Sequence, residues 1–141
     1  MAEALFVHHL SHSGLEASVI SRGLAAPVGR PPHPHAIEVA NAHGVPLPPE
    51  KRAGAVTSAE IALAAAIFIM DSEHRREVQR RYPVASGKTF LLGQWQSLEI
   101  ADPINEPLPA FELAWQQCND GAKAWVERLS AAGLVCAKAT A

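Results

Sequence analysis

Apolar residues recur at helical spacing at the very start of the chain. They are Ala2, Leu5, Phe6, Val7 and Leu10. The polar side chains between them fall on other faces, and Ser13 with Gly14 supplies a stop, so the pattern predicts a first helix. The next segment, ASVISRG at 17–23, is short, rich in β-branched residues and closed by glycine, which predicts a strand.

A proline-rich segment separates this strand from the second predicted helix. Residues 24–35 contain four prolines and a glycine, too many for regular structure, and predict a loop. AIEVANAHG at 36–44 then places apolar residues on one face and ends in a glycine, as a helix does. Further on, Thr57 or Ser58 precedes Glu60 and can cap a short helix.

The second half of the chain alternates between strand and helix patterns. The continuous apolar run at 65–71 ends in an acid, as a parallel strand covered on both faces does. A charged helix is predicted at 72–82, a last strand at 88–93 and a long amphipathic helix at 111–129. This alternation predicts an α/β fold, a three-layer open parallel sheet with helices on both faces, in one domain over residues 1–141.

Composition narrows the function classes. The formal net charge of -2 provides no basic field for a phosphate backbone or an anionic bilayer, so neither nucleic acid nor membrane is expected as a partner. The longest apolar run, at 61–70, is well short of a spanning helix, and the acid after Met1 is unlike a secretion signal. With two cysteines that form no close pair, we predict a cytoplasmic, unprocessed protein.

Several segments, in order, resemble the low-molecular-weight protein-tyrosine phosphatase family. They are MAEALF at 1–6, SRG at 21–23, GRPPHPHAIEVANAHGVPL at 29–47, FIMDSEH at 68–74, KTFLLGQW at 88–95, IADPINE at 100–106 and FELAWQQC at 111–118. Each segment alone is unspecific, but their order and spacing cover nearly the whole chain. MAEALF resembles the sequence that directly follows the family's phosphate-binding loop, which has the form C-x-G-N-x-C-R-S-P.

The resemblance implies hydrolysis of a phosphate monoester through a phosphocysteine intermediate, without metal or other cofactor. A cysteine in a cradle of backbone amides attacks phosphorus, and an arginine binds the equatorial oxygens. Asp102 matches the family's general acid, which protonates the leaving phenolate. Pro103 favours this role because it biases Asp102 toward extended conformations. The implied substrate is a phosphotyrosine protein or a small aryl phosphate. An isolated Asp-Pro would otherwise be interpreted as a turn.

Two departures from the family stand out. Ile104 and Asn105 replace the two tyrosines that commonly follow the Asp-Pro, so the wall beside a substrate ring is altered. The nucleophile, loop and arginine are also absent: Ala124 lies six residues after Cys118, and Cys136 is too near the end for C-x5-R. Cys118 is better explained as a core residue of the last helix.

We therefore expect this chain to begin just after the phosphate-binding loop, to lack the first, central strand of the sheet, and to be inactive as it stands. Loss of a central strand would leave buried N–H and C=O groups unpaired, at about 1–3 kcal/mol each. This favours a complete phosphatase that begins upstream. The alternatives are a non-catalytic relic or phosphoprotein-binding module and, less favoured, an arsenate reductase, which would need cysteines that residues 71–110 lack.

Other candidate residues have simpler explanations. His8 and His12 are spaced i, i+4, but a metal site needs three or four ligands and the sequence places no third. His33 and His35 lie in a proline-rich loop and are predicted to be solvated. The four arginines within residues 75–81 predict a solvated helix face, with a docking surface as the minority alternative.

Two polar residues at predicted strand ends admit two interpretations each. Asp71 can support the active-site loops from beneath, as its family counterpart would, or cap the next helix, and the cap is sufficient. Ser21 can donate to the phosphate-binding loop or simply close its strand.

Overall fold

Helices and short strands alternate along the chain in the computed structural model, which describes residues 1–25 and 28–137, the last two by their backbone alone. The helices are α1 (Ala2–His12), α2 (Pro34–Ala42), α3 (Ser58–Leu63), α4 (Ser72–Arg81) and α5 (Leu108–Ala131). The strands are β1 (Leu15–Glu16), β2 (Ile67–Ile69), β3 (Thr89–Leu91) and β4 (Cys136–Ala137), and 3-10 turns span Pro83–Ala85 and Gln94–Gln96. The side chain of Cys136 and residues 138–141 lie outside the described part of the chain.

The centre of the fold is a parallel pair of strands covered on both faces. Strand β2 pairs with β3 in parallel, with Phe68 opposite Phe90. These two side chains pack into the larger core cluster with α1, α2 and α5, whereas Ile69 lies in a second cluster with Ile61 of α3 and Val78 of α4. Successive residues of a strand point to opposite faces, so the predicted three-layer arrangement follows from this alternation.

The predicted strand at 17–23 is wrong. Within it only Gly23 makes a ladder contact, an isolated parallel bridge to Ala55, while residues 17–22 belong to no strand. A β-branched sequence favours extended backbone, but a strand also needs a hydrogen-bonded neighbour, and within this segment only Gly23 bonds to a neighbouring backbone, at Gly54 and Val56. A second short pair, β1 with β4, is antiparallel and was not predicted.

The predicted helix ends are confirmed where a local side chain or a glycine determines them. Gly14 and Gly44 follow α1 and α2 with φ of +66° and +72°, the left-handed conformation that glycine adopts most readily. Thr57 and Glu60 form a capping box at α3, in which each side chain accepts from the other residue's backbone N–H.

Helix α5 is longer than predicted and packs closely on β3. The indole Nε1 of Trp125 donates to the carbonyl of Leu91 over 3.2 Å. Gly121 lies against Leu92, the residue that follows Leu91. A Cβ added to Gly121 would stand 2.6 Å from the Leu92 carbonyl oxygen. Glycine is thus required here by close approach, and α5 is seated directly against the strand that leads toward the segment carrying Asp102.

Candidate active site

Asp102 lies at the carboxyl edge of the parallel pair. The backbone N–H of Ile100 donates to the carbonyl of Met70 over 2.9 Å, just past the end of β2, and the Ile100 side chain is buried. This bond fixes the chain two residues before Asp102. In open α/β sheets the ligand site lies beyond the carboxyl ends of the strands, so the acid is placed where such sites occur.

The Asp102 carboxylate is exposed and locally oriented. Its Oδ1 accepts a hydrogen bond from the backbone N–H of Ile104 over 3.1 Å, which closes a short turn around Pro103. The second oxygen, Oδ2, makes no hydrogen bond to the residues that the structure describes. The side chain is therefore held at one oxygen, and the other is available for a reacting group.

A cavity of about 590 Å³ joins Asp102 to the amino end of α1. Its walls are mostly apolar and come from four parts of the chain. These are residues 1–12 of α1 and its N-cap, residues 30–36, residues 44–53, and Asp102 with Pro103 and Ile104, and Ser21 and Phe111 complete the lining. The free amides in the first turn of a helix and the helix dipole favour an anion, and this cavity brings the Asp102 carboxylate and the amino end of α1 to one space.

A partly exposed hydrogen-bond network joins the first turn of α1 to two loops. Glu3 Oε2 accepts hydrogen bonds from Lys51 Nζ, over 2.6 Å, and from the Ser21 hydroxyl. Burial acts to raise the pKa of Glu3, but the bonds from Lys51 and Ser21 outweigh it, so the pKa lies below its usual value. In the structure the Ser21 hydroxyl therefore binds the first turn of α1, a contact that was not predicted.

Cys118 is a core residue, as predicted. Its side chain is buried within the α5 stripe, and this burial raises the pKa of its thiol to about 11. A nucleophilic cysteine needs a lowered pKa and access to substrate, and Cys118 has neither.

Helix α4 confirms the simpler explanation for Asp71. Its Oδ1 accepts from the His74 N–H over 2.7 Å, so Asp71 is the N-cap. Beside it, the Ser72 N–H donates to Glu99, which fastens the segment leading to Asp102 onto this helix end.

Arg80 and Arg81 both bond to Glu77 on the exposed face of α4, in agreement with the predicted solvated face.

The histidines behave differently from each other. His33 and His35 are half-buried against Phe111, with the His33 ring stacked at 4.6 Å, and His33 Nδ1 accepts from the His35 N–H as the N-cap of α2. Both histidines keep part of their surface exposed, and Phe111 of α5 supplies an apolar contact that the sequence does not indicate. The rings of His8 and His12 lie 4.0 Å apart along the cavity.

Residues 1–25 and 28–137 contain neither a metal-ligand cluster nor a membrane-spanning helix. No group of three or more His, Cys, Asp or Glu side chains in residues 1–25 and 28–137 is arranged to hold a metal ion. Among the same residues, no helix combines the length and the apolar character needed to cross a bilayer.

Sequence reasoning missed Lys51 and Phe111 as site residues. Lys51 lies in a proline-rich loop whose pattern gives no indication that it reaches α1, and Phe111 could be identified only as one apolar position of a helix stripe. Glu3 belongs to the M-A-E step of the resemblance, which was the one available indication that the start of α1 matters.

Comparison with known proteins identifies the family. The family model for low molecular weight phosphotyrosine protein phosphatase matches residues 1–134. The chain is 39% identical over 133 residues to the probable low molecular weight protein-tyrosine-phosphatase EpsP of Ralstonia nicotianae, covering 94% of this chain and 88% of that protein. It is 37% identical over 114 residues to Etp of Escherichia coli, covering 79% and 76%.

Solved structures agree with the sequence matches. The crystal structure of the Erwinia amylovora tyrosine phosphatase AmsI matches with a TM-score of 0.84 at 35% identity, covering 92% of this chain and 83% of that one. Vibrio vulnificus Wzb in complex with benzylphosphonate matches with a TM-score of 0.83 at 31% identity, covering 91% and 88%. These likenesses confirm the predicted α/β fold class, and the chain belongs to the low molecular weight phosphotyrosine protein phosphatase family.

Proposed function

We propose that this chain carries the proton-transfer half of a protein-tyrosine phosphatase site, with Asp102 as general acid and then general base. The observation that carries the proposal is that Asp102 and the amino end of α1 line one cavity. Membership of a phosphatase family supports it. Cysteine and arginine in C-x5-R spacing are not among these 141 residues, so the proposal takes both from the phosphate-binding loop of the family.

The residues present would act in two steps. In the first, the thiolate of the loop attacks phosphorus, the P–O bond to the aryl group breaks, and Asp102 gives its proton to the departing oxygen. In the second, water attacks phosphorus, its proton passes to the Asp102 carboxylate, and the S–P bond breaks. The unbonded Oδ2 of Asp102 is the atom suited to both transfers, since Oδ1 is engaged by the Ile104 N–H.

The proposed substrate is a phosphotyrosine protein or a small aryl phosphate. The mostly apolar cavity, with Ile104 and Pro103 beside Asp102, suits an aryl group. Vibrio vulnificus Wzb was solved with benzylphosphonate, a ligand that joins an aromatic ring to a phosphorus acid. Half of the Ile104 surface is exposed, so it can contact a ring where the family commonly has tyrosine.

The cytoplasm is the proposed compartment. The support is chemical: the thiol of Cys118 is free and buried, which suits a reducing environment.

Hydrolysis of p-nitrophenyl phosphate tests the proposal directly. The 141-residue chain should release no p-nitrophenol above background, because it holds no C-x5-R. The chain extended in front of Met1 by the strand and C-x5-R loop of a relative such as EpsP should turn over the ester. A matched extension with serine in place of the loop cysteine should be inactive.

Inactivity of the folded, extended chain with its cysteine intact would overturn the phosphatase proposal and favour a relic or a binding module. Far-UV circular dichroism and a cooperative unfolding transition establish that the extended chain is folded, which removes misfolding as an explanation.

A further inference from the structure

Two arginines stand at the rim of the cavity without a counter-charge. Arg30 and Arg52 both line the cavity and are exposed. Two backbone hydrogen bonds tie their segments together: the Gly29 N–H donates to the Ala53 carbonyl over 2.9 Å, and the Ala53 N–H donates to the Arg30 carbonyl over 2.8 Å. The backbone thus brings two cationic side chains to one side of the opening.

The Arg52 guanidinium is hydrogen-bonded at one nitrogen, and its other two nitrogens are available to a ligand. Its Nη1 donates to the carbonyls of Pro49, over 3.0 Å, and Lys51, over 2.8 Å. Among the described residues no acceptor bonds to Nε or Nη2, the edge that matches a carboxylate with two parallel bonds. The side chain is therefore partly oriented before any ligand arrives, which lowers the entropy cost of binding.

The charges around the cavity do not balance locally. Glu3 and Lys51 pair with each other, and no carboxylate of the described residues lies within ion-pair distance of Arg30 or Arg52. Asp102 is the other charged residue of the lining. The whole chain has a formal net charge of -2, so this positive rim is a local feature and not part of a general basic surface.

We propose that Arg30 and Arg52 form a subsite for acidic side chains that flank the phosphotyrosine of a protein substrate. This assignment rests on the proposed function, because it takes the same cavity as the phosphotyrosine site. The subsite favours phosphotyrosine proteins that have acidic residues beside the phosphorylated tyrosine. Each exposed arginine–carboxylate pair is worth about 0.2–1 kcal/mol, so two pairs give roughly a two- to thirtyfold preference.

Peptide binding to the extended chain with serine in place of the loop cysteine tests the subsite without requiring hydrolysis, because that chain includes the phosphate-binding loop. The probes are two fluorescein-labelled phosphotyrosine peptides that differ only in Asp or Asn at the flanking positions, and the readout is fluorescence anisotropy at low and high salt. The Asp peptide should bind several-fold more tightly, and its advantage should shrink as salt increases. Equal affinities, including no measurable binding of either peptide, would overturn the proposal.

Variants locate the effect on the rim. Arg30→Gln should remove part of the preference, and Arg52→Lys should reduce it further, because lysine keeps the charge but lacks the two-bond edge. The matched control is Arg76→Gln, on the exposed face of α4 outside the cavity lining, which should keep the full preference. Loss of preference in the control, or its retention in a variant that combines both rim changes, would refute the assignment.

The two proposals can fail separately. A preference for the Asp peptide combined with an inactive extended chain would support the arginine subsite and reject the phosphatase proposal. An active extended chain combined with equal peptide affinities would support the phosphatase proposal and reject the arginine subsite.

Discussion

Replacing Gly121 with alanine tests whether α5 is seated on the central strands as closely as the structure places it. An alanine Cβ at this position would stand 2.6 Å from the Leu92 carbonyl oxygen and 3.0 Å from its Cγ. Leu92 cannot withdraw easily, because its side chain is fully buried and its N–H donates to the Ile69 carbonyl over 2.9 Å. The helix must therefore move away from the strand, or the strand must shift.

The expected cost follows from two opposing effects. Overpacking a well-filled core costs about 1–3 kcal/mol, and the contact with a backbone atom places this site in the upper part of that range. Alanine in a helix interior is favoured over glycine by about 1 kcal/mol. The Gly121→Ala variant should thus lose about 1–2 kcal/mol of unfolding free energy.

Urea unfolding followed by far-UV circular dichroism measures this loss. With an m-value of about 2 kcal/mol/M, the midpoint should fall by about 0.5–1 M at an unchanged slope. Lys123→Ala, an exposed substitution on the same helix, is the control and should stay within about 0.5 kcal/mol of the parent chain. A midpoint for Gly121→Ala equal to or above that of the parent would refute the close seating of α5.

Three further predictions concern the pKa values and caps. Because the pKa of Glu3 is lowered in the folded chain, its stabilisation is present above about pH 4.5 and is lost as the pH falls through the folded value. Glu3→Gln should therefore cost stability at pH 7, by about 1 kcal/mol or less for this partly exposed pair, and nothing in acid; a pH-independent difference in urea midpoints would contradict this. In a Cys136→Ser background, Cys118 should react with a thiol reagent at pH 8 only after unfolding, and rapid labelling of the native chain would count against its burial. Thr57→Ala should cost about 1 kcal/mol through loss of the capping box, measured by urea unfolding against Ser58→Ala, and equal midpoints for the two variants would exclude the box as a contributor.

The helices were predictable because their determinants are local. Apolar spacing, the Thr57 capping box and the glycine after α2 all lie within a few residues of the helix they specify. The segment at 17–23 failed as a strand for the opposite reason: its extended preference is local, but pairing depends on residues elsewhere, and only Gly23 is bridged.

The site was predictable in part. Asp102 could be singled out through the resemblance of its Asp-Pro segment, but its placement depends on the Ile100–Met70 hydrogen bond, which joins two distant parts of the chain. The same limit applies to His33, whose contact with Phe111 only the fold creates. The rim arginines appeared in the sequence as unremarkable loop residues, since nothing local indicates that the backbone pairs their segments.

The role of Asp102 is the central claim, and leaving-group dependence tests it most directly. In the extended chain, Asp102→Asn should slow the step that releases phenol from phenyl phosphate by about 10²–10⁴-fold, the usual contribution of a general acid. The loss should be much smaller for p-nitrophenyl phosphate, because its leaving group is a weaker base and needs less protonation. Equal turnover of phenyl phosphate by Asp102→Asn and the parent, across the pH range, would contradict the assignment.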